Sequence, residues 1–272
     1  MNIRLLTLSL SLLMLLKPDA SACRHHNIVI ISTTPAAEDS ANDSADRLRA
    51  EGYTFSHCYF RPEAAISSSP FTRHRYTVIS LTQPEAADVI RTMTGKKRLL
   101  IAVQTHPDYL NDLMYALRSS GIYDKSYLLY TSPGGDTPYE NSWHIPLIIK
   151  LPARKHSTLP RGSLIADPVT SDDLAPTVAR MARIKDEVAG QGMSMLPLIR
   201  RKAKAWRHFV FFDSPQYHAV TDGRLKYILR NDGGEEFYNL LVDPTETENR
   251  ARIKSIALTQ MRRSLASHMQ GQ

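Results

Sequence analysis

The run Tyr127-Leu-Leu-Tyr-Thr-Ser-Pro-Gly-Gly-Asp136 sets the terms for this chain. Tyr127 to Thr131 is apolar or β-branched throughout, which reads as a strand buried on both faces, and the Ser-Pro-Gly-Gly that follows is a turn. A strand buried on both faces belongs to a sheet covered by helices on both sides. In such folds the turn at a strand's carboxyl end is where the chemistry sits. Yet this turn offers one ionisable side chain, Asp136. A second strand end, Ile28-Val-Ile-Ile-Ser-Thr-Thr-Pro35, offers none. The pattern resembles an enzyme scaffold, with few reactive groups in the expected place.

Further elements follow the same logic. Asn27 to Ile31, Leu99 to Val103 and Ile145 to Leu151 read as buried strands, and Tyr53 to Phe60 as an aromatic, β-branched one. Asp43 to Glu51 reads as a short helix closed by Gly52. Residues 61–75 read as a loop. From Asp108 to Ser120 the spacing predicts an amphipathic helix with Tyr109, Leu110, Leu113, Met114 and Leu117 on one face. A second stripe, Leu174, Val178, Met181 and Ala182, follows Asp172 and Asp173, either of which is a candidate helix cap. After residue 205 the character changes. Phe209 to Phe212, Ala219 to Thr221, Arg224 to Leu229 and Phe237 to Leu241 read as strands, and Asp222-Gly223 is a hairpin signal. Ser255 to Met269 reads as a closing amphipathic helix. Strands alternating with helices predict a mostly parallel sheet, and the late hairpins a small antiparallel unit.

The first 22 residues have the form of a secretory signal. Arg4 is followed by an apolar stretch from Leu5 to Leu16 and by Ala20-Ser21-Ala22 as a cleavage site. About 12 apolar residues are too few to span a bilayer, which takes about 20. Cleavage there removes Arg4, Lys17 and Asp19. Lys+Arg then falls from 34 to 32 and Asp+Glu from 27 to 26, so the net charge goes from +7 to +6. Cys23 is lipidated, free, or paired with Cys58. One pair is no disulfide framework, and no Cys-x-x-Cys or His/Cys cluster marks a zinc site. The basic residues are dispersed except at Arg200-Arg-Lys-Ala-Lys204. No nucleic-acid motif accompanies that run, so nucleic acid is not an expected partner.

Taken in order, several segments resemble the sulfatase family of the alkaline-phosphatase superfamily. They are Asn27-Ile-Val-Ile-Ile31, Asp46-Arg-Leu-Arg-Ala-Glu-Gly-Tyr-Thr-Phe-Ser-His-Cys-Tyr59 and Gly121-Ile-Tyr-Asp-Lys-Ser-Tyr-Leu-Leu-Tyr-Thr-Ser132. Tyr139-Glu-Asn-Ser-Trp-His-Ile-Pro-Leu-Ile-Ile149, Asp173-Leu-Ala-Pro-Thr177, Gly190-Gln-Gly-Met-Ser-Met-Leu-Pro-Leu198 and Thr221-Asp-Gly-Arg-Leu-Lys-Tyr-Ile228 follow. Glu236-Phe-Tyr-Asn-Leu-Leu-Val-Asp-Pro-Thr-Glu-Thr-Glu-Asn249 completes the series. The resemblance implies an α/β fold, a three-layer α/β/α sandwich with a small C-terminal antiparallel-sheet subdomain. Residues 1–22 are then the signal, 23–204 the α/β domain and 205–272 the C-terminal subdomain.

The resemblance also implies a nucleophile in Cys/Ser-x-Pro-Ser-Arg and a divalent cation, usually calcium, on hard carboxylates. Aligned through Tyr59 and Arg75-Tyr76, the nucleophile position is Ala64. Ile66 replaces the proline, Ser67 keeps the serine and Ser68 replaces the arginine. The Asp-Asp pair of the first strand falls at Thr33-Thr34, or at Thr34-Pro35 one register on, and only Asp136 persists of the second metal motif. No catalytic residue is therefore expected by the family mechanism. Ser67, Arg75 and His106 are candidates for contact with substrate, and Asp136 is the retained candidate ligand. No cofactor is expected, with calcium only where the ancestral site is partly retained. Losing groups that act as a unit removes their joint effect. The chain reads as an exported, catalytically degenerate sulfatase-like protein with a binding or structural role. Its expected partner is a sulfated or phosphorylated glycan, met by basic groups such as Arg61, Arg73 and Arg75. The alternative is an active ester hydrolase or transferase with a rebuilt site, using Ser67, Ser68 or a threonine at 33 or 34.

Overall fold

The computed structural model describes residues 26–33, 54–59, 72–73, 76–82, 85–95, 98–135, 137–153, 164–184 and 192–271. The signal segment, Cys23 and the helix expected at Asp43 to Glu51 lie outside them. Seven strands form the large sheet: β1 (Asn27–Thr33), β2 (Thr54–Tyr59), β3 (Thr77–Thr82), β4 (Leu99–Thr105), β5 (Ser126–Thr131), β6 (His144–Lys150) and β7 (Leu164–Thr170). Their order is β3-β4-β1-β5-β6-β2-β7. Six run in one direction, and β6 is antiparallel to both β5 and β2.

The central strand β1 explains the sandwich. Ile28, Val29, Ile30 and Ile31 are all buried, so both faces of the strand need cover. Val29 and Ile31 pack with Ile101, Val103 and Leu128 under helices α1 (Ala86–Thr92) and α2 (Leu110–Ser119). Ile28 and Ile30 pack with Leu129, Leu147 and Ile149 against α4 (Leu174–Met181) and α5 (Leu196–Ile199). Each such side chain contributes about 1.5–3 kcal/mol by leaving water. Between these, the short α3 (Glu140–Trp143) leads directly into β6. Asn27 is buried at the mouth of β1, where its Oδ1 accepts the Leu99 amide at 3.0 Å.

The helix on residues 108–120 departs from the expected stripe at one position. Leu110, Leu113, Met114 and Leu117 are buried, but Tyr109 is 44% exposed. Residues Pro107–Tyr109 form a 3-10 turn. Its three-residue period rotates Tyr109 away from the apolar face that α2 presents. Two edge strands also differ from the sequence reading. β3 is half-exposed along its length, and β7 carries Asp167 and Pro168 within it, so neither shows a clear strand pattern.

The second sheet has four antiparallel strands in the order β11-β10-β9-β8: β8 (Val210–Asp213), β9 (Tyr217–Thr221), β10 (Leu225–Arg230) and β11 (Glu235–Asn239). The Asp222-Gly223 turn joins β9 to β10. Gly223 has φ of +86°, and Asp222 Oδ1 accepts the amides of Arg224 and Leu225 at 2.8 Å each. One face packs Val210, Phe212, Ala219 and Ile228 against Tyr59 and Trp143 of the large-sheet region. The other packs Val220, Tyr227 and Phe237 against Leu258, Met261 and Leu265 of α6 (Ile256–Gln270). Ser255 caps α6 by accepting the Leu258 amide at 3.1 Å.

Two carboxylates of this region tie its stability to pH. The amides of Glu248 and Thr247 hold Asp243 below its usual range, and Arg262 with Tyr227 does the same for Glu235. A depressed carboxyl stabilises the fold above its unfolded pKa, about 4, and loses that stabilisation as pH falls through the folded value. The thermal midpoint is expected to fall on acidification below about pH 4. Asp243→Asn should make that fall shallower. An unchanged slope in the variant would refute the assignment.

Candidate functional site at the carboxyl edge of the large sheet

Strands β4, β1, β5, β2 and β7 all end on one edge, where β6 begins. Reading across that edge, the terminal residues are Thr105, Thr33, Thr131, His144, Tyr59 and Thr170. Four are threonines, and all four are buried. Thr105 Oγ1 donates to the His106 carbonyl at 3.2 Å, and Thr131 Oγ1 to the Ser132 carbonyl at 3.4 Å. The Thr33 hydroxyl is buried and has no hydrogen-bond partner among the described residues. Tyr59 lies 5.9 Å from both the His144 and Phe212 rings. Its phenol is held well above the ordinary range, first by burial and then by Glu140.

The turn after β5 is pinned to α3. The Gly135 amide donates to the Ser142 carbonyl at 2.8 Å, and a Cβ at Gly135 would fall 2.3 Å from Ser142 Oγ. A side chain at this position would displace the Ser142 hydroxyl. The sequence-derived residues sit as follows. His106 follows β4 and caps the 3-10 turn. Its Nδ1 accepts the Asp108 amide at 3.4 Å and lies 3.1 Å from the Asp108 carboxylate. Arg73 is exposed. Arg61, Ala64, Ser67, Ser68, Arg75, Thr34 and Asp136 lie outside the described residues. Cys58 is a buried free thiol, pushed well above its usual pKa by burial and by Asp173.

Calcium takes six to eight oxygens, with carboxylates prominent among them. The threonine hydroxyls at this edge are neutral, and two of the four are committed to local carbonyls. Among the described residues no three His, Cys, Asp or Glu side chains come together as a metal site. The described part of the edge therefore does not fit the ion.

Beside the edge lies a charged cluster that sequence reasoning missed. Lys226 of β10 is fully buried, with Nζ 2.8 Å from Glu140 Oε1 and 2.8 Å from Glu246 Oε1. It also donates to the Pro138 carbonyl at 3.0 Å and lies 5.1 Å from the Trp143 ring centroid. Trp143 in turn stacks on Phe212 at 3.6 Å. Burial raises the Glu246 carboxyl, which Lys226 partly offsets. Next to it, Glu236 accepts from Tyr139, Tyr238 and Arg230. These contacts join the loop after β5 to the small sheet.

Comparison with known proteins now agrees with this architecture. The profile of the family described as N-sulphoglucosamine sulphohydrolase, C-terminal, matches residues 135–271, just over half of the chain. An arylsulfatase K of Danio rerio is 31% identical over 134 residues, covering 44% of this chain and 24% of that protein. This chain spans 24% to 34% of the length of the arylsulfatases it matches. Among solved structures, a putative sulfatase from Bacteroides thetaiotaomicron superposes with a TM-score of 0.73 at 14% identity, covering 90% of this chain and 92% of that one. A protein solved with its substrate, D-glucosamine-2-N,6-O-disulfate, gives 0.67 at 11% identity, covering 90% and 98%. At such identities the structural likeness is one of fold. The chain belongs to the sulfatase family, and its fold is that of the alkaline-phosphatase superfamily.

Proposed function

We propose that this protein is an exported, catalytically degenerate sulfatase that binds a sulfated glycan without cleaving it. The observation that carries the reading is the end of β1, where the family resemblance calls for a pair of carboxylates and the chain instead has the buried neutral hydroxyl of Thr33. Neutral hydroxyls supply no charge to offset dehydration of a divalent ion. The Ala64 alignment removes the nucleophile by the same resemblance, and the mechanism needs both. A sulfated ligand is supported by one structural neighbour, which was solved in complex with its substrate D-glucosamine-2-N,6-O-disulfate. The apolar leader at residues 1–22 supports export.

The test is 4-nitrophenyl sulfate hydrolysis with a calcium titration of the purified protein. We expect no turnover above the uncatalysed rate and no calcium binding at about 1 mM. Turnover that Asp136→Asn abolishes would overturn the reading. One observation favours a rebuilt hydrolase instead, namely the Thr33 hydroxyl at the end of β1, which has no partner among the described residues. That alternative predicts a phosphoryl or sulfuryl adduct by intact mass, absent in Thr33→Val.

A further inference from the structure

The face of the small sheet turned away from the large sheet carries an open groove. Strand β8 alternates, so that Val210 and Phe212 pack toward Tyr59 and Trp143, while Phe209 and Phe211 lie on the α6 side. There the last turns of α6 leave a groove of about 480 Å3 lined by Phe209, Phe211, Arg263, Ser264, Ser267 and His268. That volume is within the range of small-molecule sites, roughly 300–1,000 Å3. The groove is on the opposite face of the small sheet from the threonine edge, so it is separate from the site described above.

Its side chains divide into held and uncommitted groups. His268 is held: its ring stacks on Phe211 at 4.2 Å with 8° between planes, and its Nε2 lies 2.9 Å from Asp213 Oδ2. The other oxygen of Asp213 is 2.7 Å from His218 Nδ1, so one carboxylate ties α6 to the β8–β9 hairpin. Phe209 stands 6.2 Å from Phe211 and completes an aromatic wall. Arg263 is uncommitted. Its neighbour Arg262 is bound to Glu235 and lies over the Tyr227 ring, whereas Arg263 is exposed and makes no ion pair among the described residues. Neither Ser264 nor Ser267 spends its hydroxyl on another described residue.

An aromatic wall takes the apolar face of a ring, free hydroxyls take ring hydroxyls, and an unpaired guanidinium takes a planar or tetrahedral anion bidentately. Those requirements meet in a sugar bearing a sulfate. We propose that this groove is a binding site for one sulfated sugar residue, with Arg263 on the sulfate and the Phe209–Phe211–His268 wall against the ring. The inference rests on the glycan-binding reading above and adds where on the molecule the sugar sits.

The test titrates N-acetylglucosamine 6-sulfate into the full isotope-labelled protein, with N-acetylglucosamine and sodium sulfate as controls. Amide shifts should cluster at Phe209, Phe211, Arg263, Ser267 and His268. Arg263→Gln should weaken binding at least about tenfold while leaving the thermal midpoint unchanged, and each control should bind at least about tenfold more weakly. Binding with shifts elsewhere and no response to Arg263→Gln overturns the groove but leaves the glycan reading standing. Equal binding of sodium sulfate means a bare anion site and overturns the sugar assignment. Silence at about 10 mM probe also overturns the groove. The broader reading would then fail only if a sulfated hexasaccharide bound nowhere either.

Discussion

Lys226→Met is expected to destabilise the protein by about 3–5 kcal/mol, the range for removing one partner of a buried ion pair. For a chain of this size that is a fall in thermal midpoint of roughly 6–20 °C. The ammonium has three protons and faces three oxygens, those of Glu140, Glu246 and Pro138. Methionine fills the same space and removes the charge. What remains is two carboxylates turned toward one another, with the Glu246 side chain only 2% exposed. Glu246 is also fixed from its backbone, at φ of 56°, and its Oε2 accepts the Glu140 amide at 2.5 Å, so it has no free path to solvent. The carboxyl must then be neutral or the cluster must open. Glu246 is already raised by burial, so its sign is opposite to that of Asp243. Its stabilisation is present below the ordinary Glu value and is lost as pH rises through its raised one. Lys226→Met should therefore be least harmful in acid. Adding Glu246→Gln should recover part of the loss, because the repulsion is gone. Denaturant midpoints at constant m would measure both. A loss below about 1 kcal/mol for Lys226→Met would show that water reaches the cluster.

That cluster also marks the limit of what the sequence discloses. The parts built from local pattern were legible. β1, β4 and β5 are continuous apolar runs because both faces are buried, and the Asp222-Gly223 turn follows from the positive φ that Gly223 supplies. The mostly parallel sheet follows from alternating elements, and the family from motif order. Lys226, Glu140 and Glu246 carry no such signal. They are separated by 86 and 20 positions, counted from their numbers, and only the docking of the small sheet brings them together. Asp213 and His268 are 55 residues apart for the same reason. A charged residue between apolar neighbours, Lys226 among Leu225, Tyr227 and Ile228, was the available hint. Edge strands β3 and β7 were hidden because a half-exposed strand need not alternate. At the strand ends the sequence identified absent carboxylates but not the hydroxyl row, since the pairing register that aligns Thr33 with Thr105 is a tertiary fact.

Asp173→Ala is expected to cost a similar amount, about 3–5 kcal/mol, by a different route. The sequence reading took Asp172 or Asp173 as a cap for the following helix. Asp173 does stand at the N-cap position of α4, and its carboxylate closes the capping box of the 3-10 turn Ser171–Asp173 that leads into the helix. It makes no side-chain bond to the amides of α4 itself and is fully buried. Its Oδ2 accepts the Thr170 amide at 2.9 Å and Arg207 Nη1 at 2.6 Å. Its Oδ1 accepts the Met193 amide at 2.6 Å and Arg207 Nη2 at 2.7 Å. Four donors from three chain segments thus converge on one side chain. Alanine leaves two amides and a guanidinium, itself mostly buried, without an acceptor. Asp173→Asn keeps the volume but turns an amide group toward Arg207, so it should recover little. Arg207→Met should cost less than either, because both backbone amides still bind the carboxylate. The same junction leaves no room at Gly192, where a Cβ would fall 2.1 Å from the Asp172 carbonyl. Because Thr170 is paired with Tyr59 at the sheet edge, loosening Asp173 should also speed amide exchange at Tyr59 and Met193 ahead of the β1 core. An Asp173→Ala protein within about 1 kcal/mol of the parent, or one in which exchange rises uniformly, would mean that Arg207 and the two amides find other partners and that the junction is not held by this carboxylate.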